Sequence, residues 1–203
     1  MRYTNDWIRR LLPAQLQECV ARVTGVPLKS VTVYNRVLRE AGLLTQRGRG
    51  IASPSMTPLD AARLLLAICV ASGPADAVQR YETFQAMRCG DEQGDAFDAF
   101  RLRGEDVGPV EVLATLIEAA GDGGLDRFAR QQGMDPRAVP DTLQVAFMLT
   151  GSGMVQVQLA TLRGESWMRS YVAEGGSVGM PSMKTVRYLE GAGIYTIGRE
   201  LRG

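Results

Sequence analysis

Lys29, Thr32, Val33 and Arg36, with Glu40, fall on one side of a helix if each residue turns the chain by about 100°. The first four offer an ammonium, a hydroxyl, a methyl-bearing branch and a guanidinium. Groups of this kind hydrogen-bond phosphate oxygens and base edges, and the methyls can touch the methyl of thymine. On the opposite side Val31, Tyr34, Leu38 and Ala41 form an apolar face suited to a core. The helix expected to carry both faces runs from Leu28 to Ala41. Pro27 suits a first helical position, where its missing N–H costs nothing. Gly42 suits the left-handed residue that commonly ends a helix.

The neighbouring elements would have to present that face. Pro13 opens a helix to about Thr24 with an apolar stripe of Leu16, Cys19, Val20 and Val23. Gly25, Val26 and Pro27 form a short joining turn. After Gly42, Leu43 to Gln46 can begin a strand, Arg47-Gly48-Arg49-Gly50 can turn, and Ile51 to Ser53 can return. A glycine-rich tip with two arginines fits close approach to a phosphate backbone. Residues 4–12 can form a short first helix, with Trp7, Ile8 and Leu11 on one face and Arg9 and Arg10 on another. Base readout is expected from Lys29, Thr32, Val33 and Arg36, and phosphate contact from Arg9, Arg10, Arg39, Arg47 and Arg49.

The string LREAGLL, residues 38–44, preceded by a helix and followed by RGRG, resembles the recognition-helix end and wing of bacterial winged helix-turn-helix regulators, the MarR-like families among them. The resemblance covers roughly residues 4–53. It implies a helix in the major groove, a wing on the backbone, and a DNA-binding regulator. The layout of the remaining chain is similar to that of phage or prophage regulators, but no motif carries that likeness.

Charge distribution agrees with this division. The net charge is only +1, yet residues 1–53 hold nine Arg and Lys against three Asp and Glu. The rest holds fourteen bases against nineteen acids, so a basic head is joined to a mildly acidic body. The chain has no histidine, which removes His-based acid–base catalysis, Ser-His and Cys-His nucleophiles, and His-ligated metals. Cys19, Cys69 and Cys89 are far apart and form no metal-binding spacing, so they read as small core residues in a reducing, cytoplasmic setting. No signal peptide is evident, and the most apolar run, Ala61 to Ala71, is too short to span a bilayer. The glycine-rich segments GRG, GDGG and EGGSVG match neither a phosphate loop nor a dinucleotide fingerprint, so no cofactor is expected.

Beyond a hinge at 54–58, Thr57, Pro58 and Asp60 spell a near capping box before LDAARLLLAICVA, a helix apolar on most sides and therefore buried. Residues 75–88 carry a packing stripe of Val78, Tyr81, Phe84 and Met87. Residues 89–108, with Asp91, Glu92, Asp95 and Asp98, read as a solvated acidic loop tucked down by Phe97 and Phe100, since their spacing is not that of a calcium loop. Helices follow from Gly108-Pro109 to Ala120 and at 125–132. The period then changes to two: Leu143, Val145, Phe147 and Leu149 alternate with polar or smaller residues, as do Val155, Val157 and Leu159 after a glycine-bearing turn, which predicts a hairpin. GESWMRSYV fits strand or helix equally. A strand at 183–189 and a helix at 192–202 would close the body.

The expected fold is α+β: an N-terminal winged helix-turn-helix, residues 1–53, followed by a helical segment and a small antiparallel sheet in an oligomerisation or regulatory domain, residues 54–203. The expected function is a sequence-specific regulator binding double-stranded DNA as a homodimer, with room for a partner protein on the C-terminal domain and no membrane association. Two alternatives stand beside it. A phage packaging or replication-initiation factor would form a ring in solution. A protein-interaction module would show no salt-dependent DNA affinity. An enzyme ranks last, because without histidine or a phosphate loop it would need carboxylates alone or one of two lysines, Lys29 and Lys184.

Overall fold

The capping box read at Thr57 is closed in the structure by an aspartate. The Asp60 N–H donates to the Thr57 hydroxyl at 3.1 Å, and the Thr57 N–H donates to the Asp60 carboxylate at 2.9 Å. This computed structural model describes residues 11–46, 55–93, 100, 102, 107–135, 143–149, 155–161, 166–172 and 191–202. Among them the helices are α1 (Pro13–Thr24), α2 (Leu28–Glu40), α3 (Pro58–Val70), α4 (Ala77–Gln85), α5 (Pro109–Gly121), α6 (Gly124–Gln131) and α7 (Gly191–Arg202). The strands are β1 (Arg88–Gln93), β2 (Leu143–Leu149), β3 (Val155–Thr161) and β4 (Ser166–Val172). The chain is α+β, mostly helical with a small antiparallel sheet.

α3 is the strut of the molecule. Nine of its thirteen residues are buried, and it touches α1, α2, α4, α5 and α7. An apolar surface on all sides leaves such a helix no stable place except the interior. Truncating Leu64, Leu65 or Leu66 to alanine in this setting costs about 2–5 kcal/mol. Leu16, Val20, Val31 and Leu38 of α1 and α2 belong to the same buried cluster as α3, α4, α5 and α7. The helices before residue 53 therefore share one core with those after it.

α5 and α7 cross unusually close. A Cβ at Gly198 would run into the Ile117 carbonyl, and one at Gly121 would meet the Gly198 carbonyl at 2.5 Å. Two glycines where the helices touch let the backbones approach. α7 is tied to α6 by the Tyr195 hydroxyl donating to Asp126 at 3.0 Å, and to α1 by an Arg22–Glu200 ion pair at 3.0 Å.

The sheet has the order β1-β4-β3-β2, every neighbouring pair antiparallel. The expected hairpin is β2–β3, with Val145 opposite Leu159, Phe147 opposite Val157 and Leu149 opposite Val155. Residues opposed in this way share a face of the sheet. Ser166–Val172 of the ambiguous GESWMRSYV segment form β4, an inner strand with β3 on one side and β1 on the other. Ser170 and Tyr171 are both buried. Successive strand residues point to opposite faces, so this end of β4 is covered on both sides.

Two expectations need correction. The helix expected at 75–88 starts with a 3-10 turn at Pro74–Asp76 and ends at Gln85, and β1 follows. Arg88 to Gln93 is thus strand, with a bulge between Cys89 and Asp91, and the register sets Glu92 opposite Arg169. Asp91 and Glu92 are therefore strand residues and do not belong to an acidic loop. Pairing with β4, about eighty residues away, supplies a backbone partner that local polarity could not reveal. The helix expected at 4–12, Asp95, Phe97 and Asp98 of the acidic segment, and the strand expected at 183–189 lie outside the described residues. Among the described residues no single helix is long and apolar enough to cross a membrane.

Candidate nucleic-acid interface

The α1–turn–α2 unit is built from local capping. Pro13 occupies the first turn of α1, and the Gln15 side chain accepts the Leu12 N–H at 2.8 Å. At the other end Gly25 takes φ 68° and returns its N–H to the Ala21 carbonyl at 3.0 Å. A side chain there would be strained, so glycine is the residue that lets the chain turn after α1. The Thr24 hydroxyl donates back to Val20 at 2.7 Å and accepts the Val26 N–H at 3.3 Å, which fixes the turn. Pro27 sits one place before the helix: its carbonyl accepts the Ser30 and Val31 N–H groups, and α2 begins at Leu28.

α2 is split into two faces. Val31, Tyr34 and Leu38 are buried as the periodicity requires, and Asn35 joins them. Ala41 was expected on that face but is exposed. It lies past the end of the helix, where the chain has begun to turn. Lys29, Thr32, Arg36 and Arg39 are exposed, and Val33 is half-buried. Of the four residues expected to read bases, Lys29, Thr32 and Arg36 are thus outward and Val33 only partly so, and Arg39 is exposed near the C-terminal end of α2. Arg9, Arg10, Arg47 and Arg49 lie outside the described residues.

Two contacts qualify what the exposed groups offer. The Thr32 hydroxyl oxygen is 3.0 Å from Gln17 Oε1 of α1 and 2.9 Å from the Leu28 carbonyl. A hydroxyl carries one proton, so it donates to one of these at a time and keeps acceptor capacity outward. Arg36 Nε is 3.9 Å from Glu40, with both side chains more than half exposed. An exposed pair one turn apart is worth only about 0.3–0.5 kcal/mol, so Arg36 remains available to a stronger anion.

The end of α2 is a hydrogen-bonded stop. The Gly42 N–H returns to Arg39 and the Leu43 N–H to Leu38, at 3.0 and 2.9 Å, with Gly42 at φ 74°. Residues 43–46, expected to begin a strand, are irregular. Their polar groups are spent on helices. Arg63 of α3 donates to the Leu43 carbonyl at 2.7 Å. Thr45 gives its N–H to Asp60 at 2.8 Å, and its hydroxyl to the same carboxylate. The Gln46 amide donates to the Arg39 carbonyl at 2.9 Å. The expected turn and return strand, 47–53, lie outside the described residues.

Sequence reasoning missed four contributors. Leu28 is large, apolar and exposed on the first turn of α2. Gln17 reaches α2 from α1. Asp60 and Arg63 reach back from α3 to the segment following α2. The TxxD capping string pointed to Asp60, but only as a helix start. Of the cysteines, Cys19 is buried in α1, and burial pushes its thiol up from the ordinary range despite the nearby Arg22. That weakens it as a nucleophile.

The chain matches no protein-family model, and neither a curated protein nor a solved structure matches it.

Proposed function

We propose that this protein is a sequence-specific DNA-binding regulator of the winged helix-turn-helix type, acting as a homodimer, with α2 as the helix that enters the major groove. The observation that carries the reading is the division of α2. One face is locked into the core through Val31, Tyr34 and Leu38, while Lys29, Thr32 and Arg36 stand exposed together on the other, on a helix that starts three residues after the Gly25 turn. A recognition helix needs a buried face that fixes its pose and an outward face of donors that reaches base edges. The basic excess of residues 1–53 supports the same assignment, since cations raise affinity by releasing counterions from the phosphate backbone. In this reading Arg9, Arg10, Arg39, Arg47 and Arg49 hold phosphates, and residues 54–203 carry the dimer contact.

The deciding experiment incubates the purified full chain with fragmented DNA from its own source at two salt concentrations and sequences what is retained. A few sites sharing an inverted repeat support a dimeric regulator. Retention of nothing, or of all fragments equally with loss at higher salt, overturns sequence-specific regulation.

A further inference from the structure

We infer that Leu28 is a specificity-determining residue that reads the methyl group of a thymine. The inference rests on the DNA-binding reading above and names the base chemistry at one position of that site. Leu28 is 44% exposed, and only Leu12 joins it as a large exposed apolar side chain among the described residues. It is the first residue of α2, and the N-terminal residues of a recognition helix are those that meet base edges. It stands one turn before Thr32 and next to Lys29, and its own carbonyl lies within hydrogen-bonding distance of the Thr32 hydroxyl.

The core does not claim this side chain. Val31, Tyr34, Asn35 and Leu38 fill the buried face of α2. Leu28 leaves apolar area in water, next to Lys29 in the chain and one turn before the Thr32 hydroxyl. The major groove contains one apolar group that such a side chain can cover without leaving a base donor or acceptor unpaired, the thymine methyl. The cations of α2 hold phosphates, and the leucine supplies discrimination that charge alone cannot.

The test uses a duplex recovered from the genomic selection, with its thymines replaced one at a time by deoxyuridine. That exchange deletes the methyl and keeps every pairing group. Wild type should lose about fourfold in affinity at one or two positions, the value of covering a single methyl. Leu28→Ala should bind the unmodified duplex more weakly by at least that factor and be indifferent to deoxyuridine at those positions, with an unchanged melting temperature. Equal sensitivity of wild type and Leu28→Ala at every thymine overturns the inference while leaving DNA binding in place. Dissociation of a DNA-free dimer by Leu28→Ala in sedimentation also overturns it, because Leu28 would then face a second copy. Absence of any sequence preference in wild type overturns the DNA-binding reading itself, and this inference with it.

Discussion

Asp60 accepts hydrogen bonds from both the backbone N–H and the hydroxyl of Thr45, fifteen residues earlier in the chain, through a carboxylate only 1% exposed. The same carboxylate takes the Thr57 N–H and hydroxyl, so one side chain caps α3 and pins the segment leaving α2. Asp60→Ala would leave the donors of Thr45 and Thr57, both exposed residues, without this acceptor and remove the reciprocal cap. The expected loss is about 1–2 kcal/mol, the worth of the lost cap, since water can reach the freed donors. Asp60→Asn keeps one acceptor oxygen and should lose roughly half as much. Urea unfolding measures both, and an alanine variant as stable as wild type would show that the Thr45 and Thr57 donors find other partners.

Arg36 and Glu40 should act in opposite directions on DNA. Their ion pair is exposed and weak, so neither substitution should move stability by more than about 0.5 kcal/mol. Arg36→Ala should cost about 1–3 kcal/mol on the selected site and relax preference there. Glu40→Gln removes a negative charge from the outward side of α2 and should tighten binding several-fold, an effect that shrinks as salt rises. Arg22 is paired with Glu200 of α7, and Arg22→Ala should change affinity by no more than about twofold. Anisotropy titrations at two salt concentrations separate the three, and a larger effect from Arg22→Ala than from Arg36→Ala would mean that α1 faces the duplex.

The parts legible in the sequence were those set by local physics. The turn at Gly25, the stop at Gly42, the cap at Thr57 and the period-two hairpin each follow from a few adjacent residues. Long-range pairing was not legible. Arg88 to Gln93 looks like solvated loop until β4 offers it a ladder, and Thr45 looks like strand until Asp60 takes its donors. For the site, periodicity separated the buried face of α2 from the polar one, apart from Asn35 and Ala41. It could not show that Leu28 stays outside, because a residue in the first turn of a helix has no preceding turn against which to set its direction.

Gly198 and Gly121 set the distance between α5 and α7, so their effect should be steric. Gly198→Ala gains up to about 1 kcal/mol of helix propensity. Its methyl, however, would press into the Ile117 carbonyl, which is backbone and cannot swing aside. Overpacking of this kind costs about 1–3 kcal/mol, so the net change should be destabilising. Gly73→Ala is the control: its backbone is extended and nothing lies within 4 Å of the added carbon, so it should stay within about 0.5 kcal/mol of wild type. If Gly198→Ala melts no lower than Gly73→Ala, the helices have room that the backbone contact denies.

Asp76 gives the fold a pH dependence whose sign can be worked out. Burial opposes its charged form, but the N–H groups of Gly73 and Ser72, its own backbone N–H, and Arg80 outweigh that, so its carboxyl lies below the ordinary 3.8. The Gly73 and Ser72 donors stand at 3.0 and 3.2 Å, and Arg80 Nε at 3.6 Å. A carboxyl whose folded pKa is depressed stabilises fully above its unfolded pKa and loses that contribution as pH falls through the folded value. Asp76→Ala should therefore be less stable than wild type by about 1 kcal/mol near neutral pH, the worth of a capping carboxylate. The gap should hold down to the unfolded carboxyl range and narrow only below it, as the wild-type carboxylate takes up its proton. Urea midpoints of both proteins from neutral pH down to about pH 3 would show this. A gap that stays constant into acid would mean that the side chain helps through a neutral hydrogen bond, while one that widens as pH falls through the carboxyl range would reverse the sign of the shift.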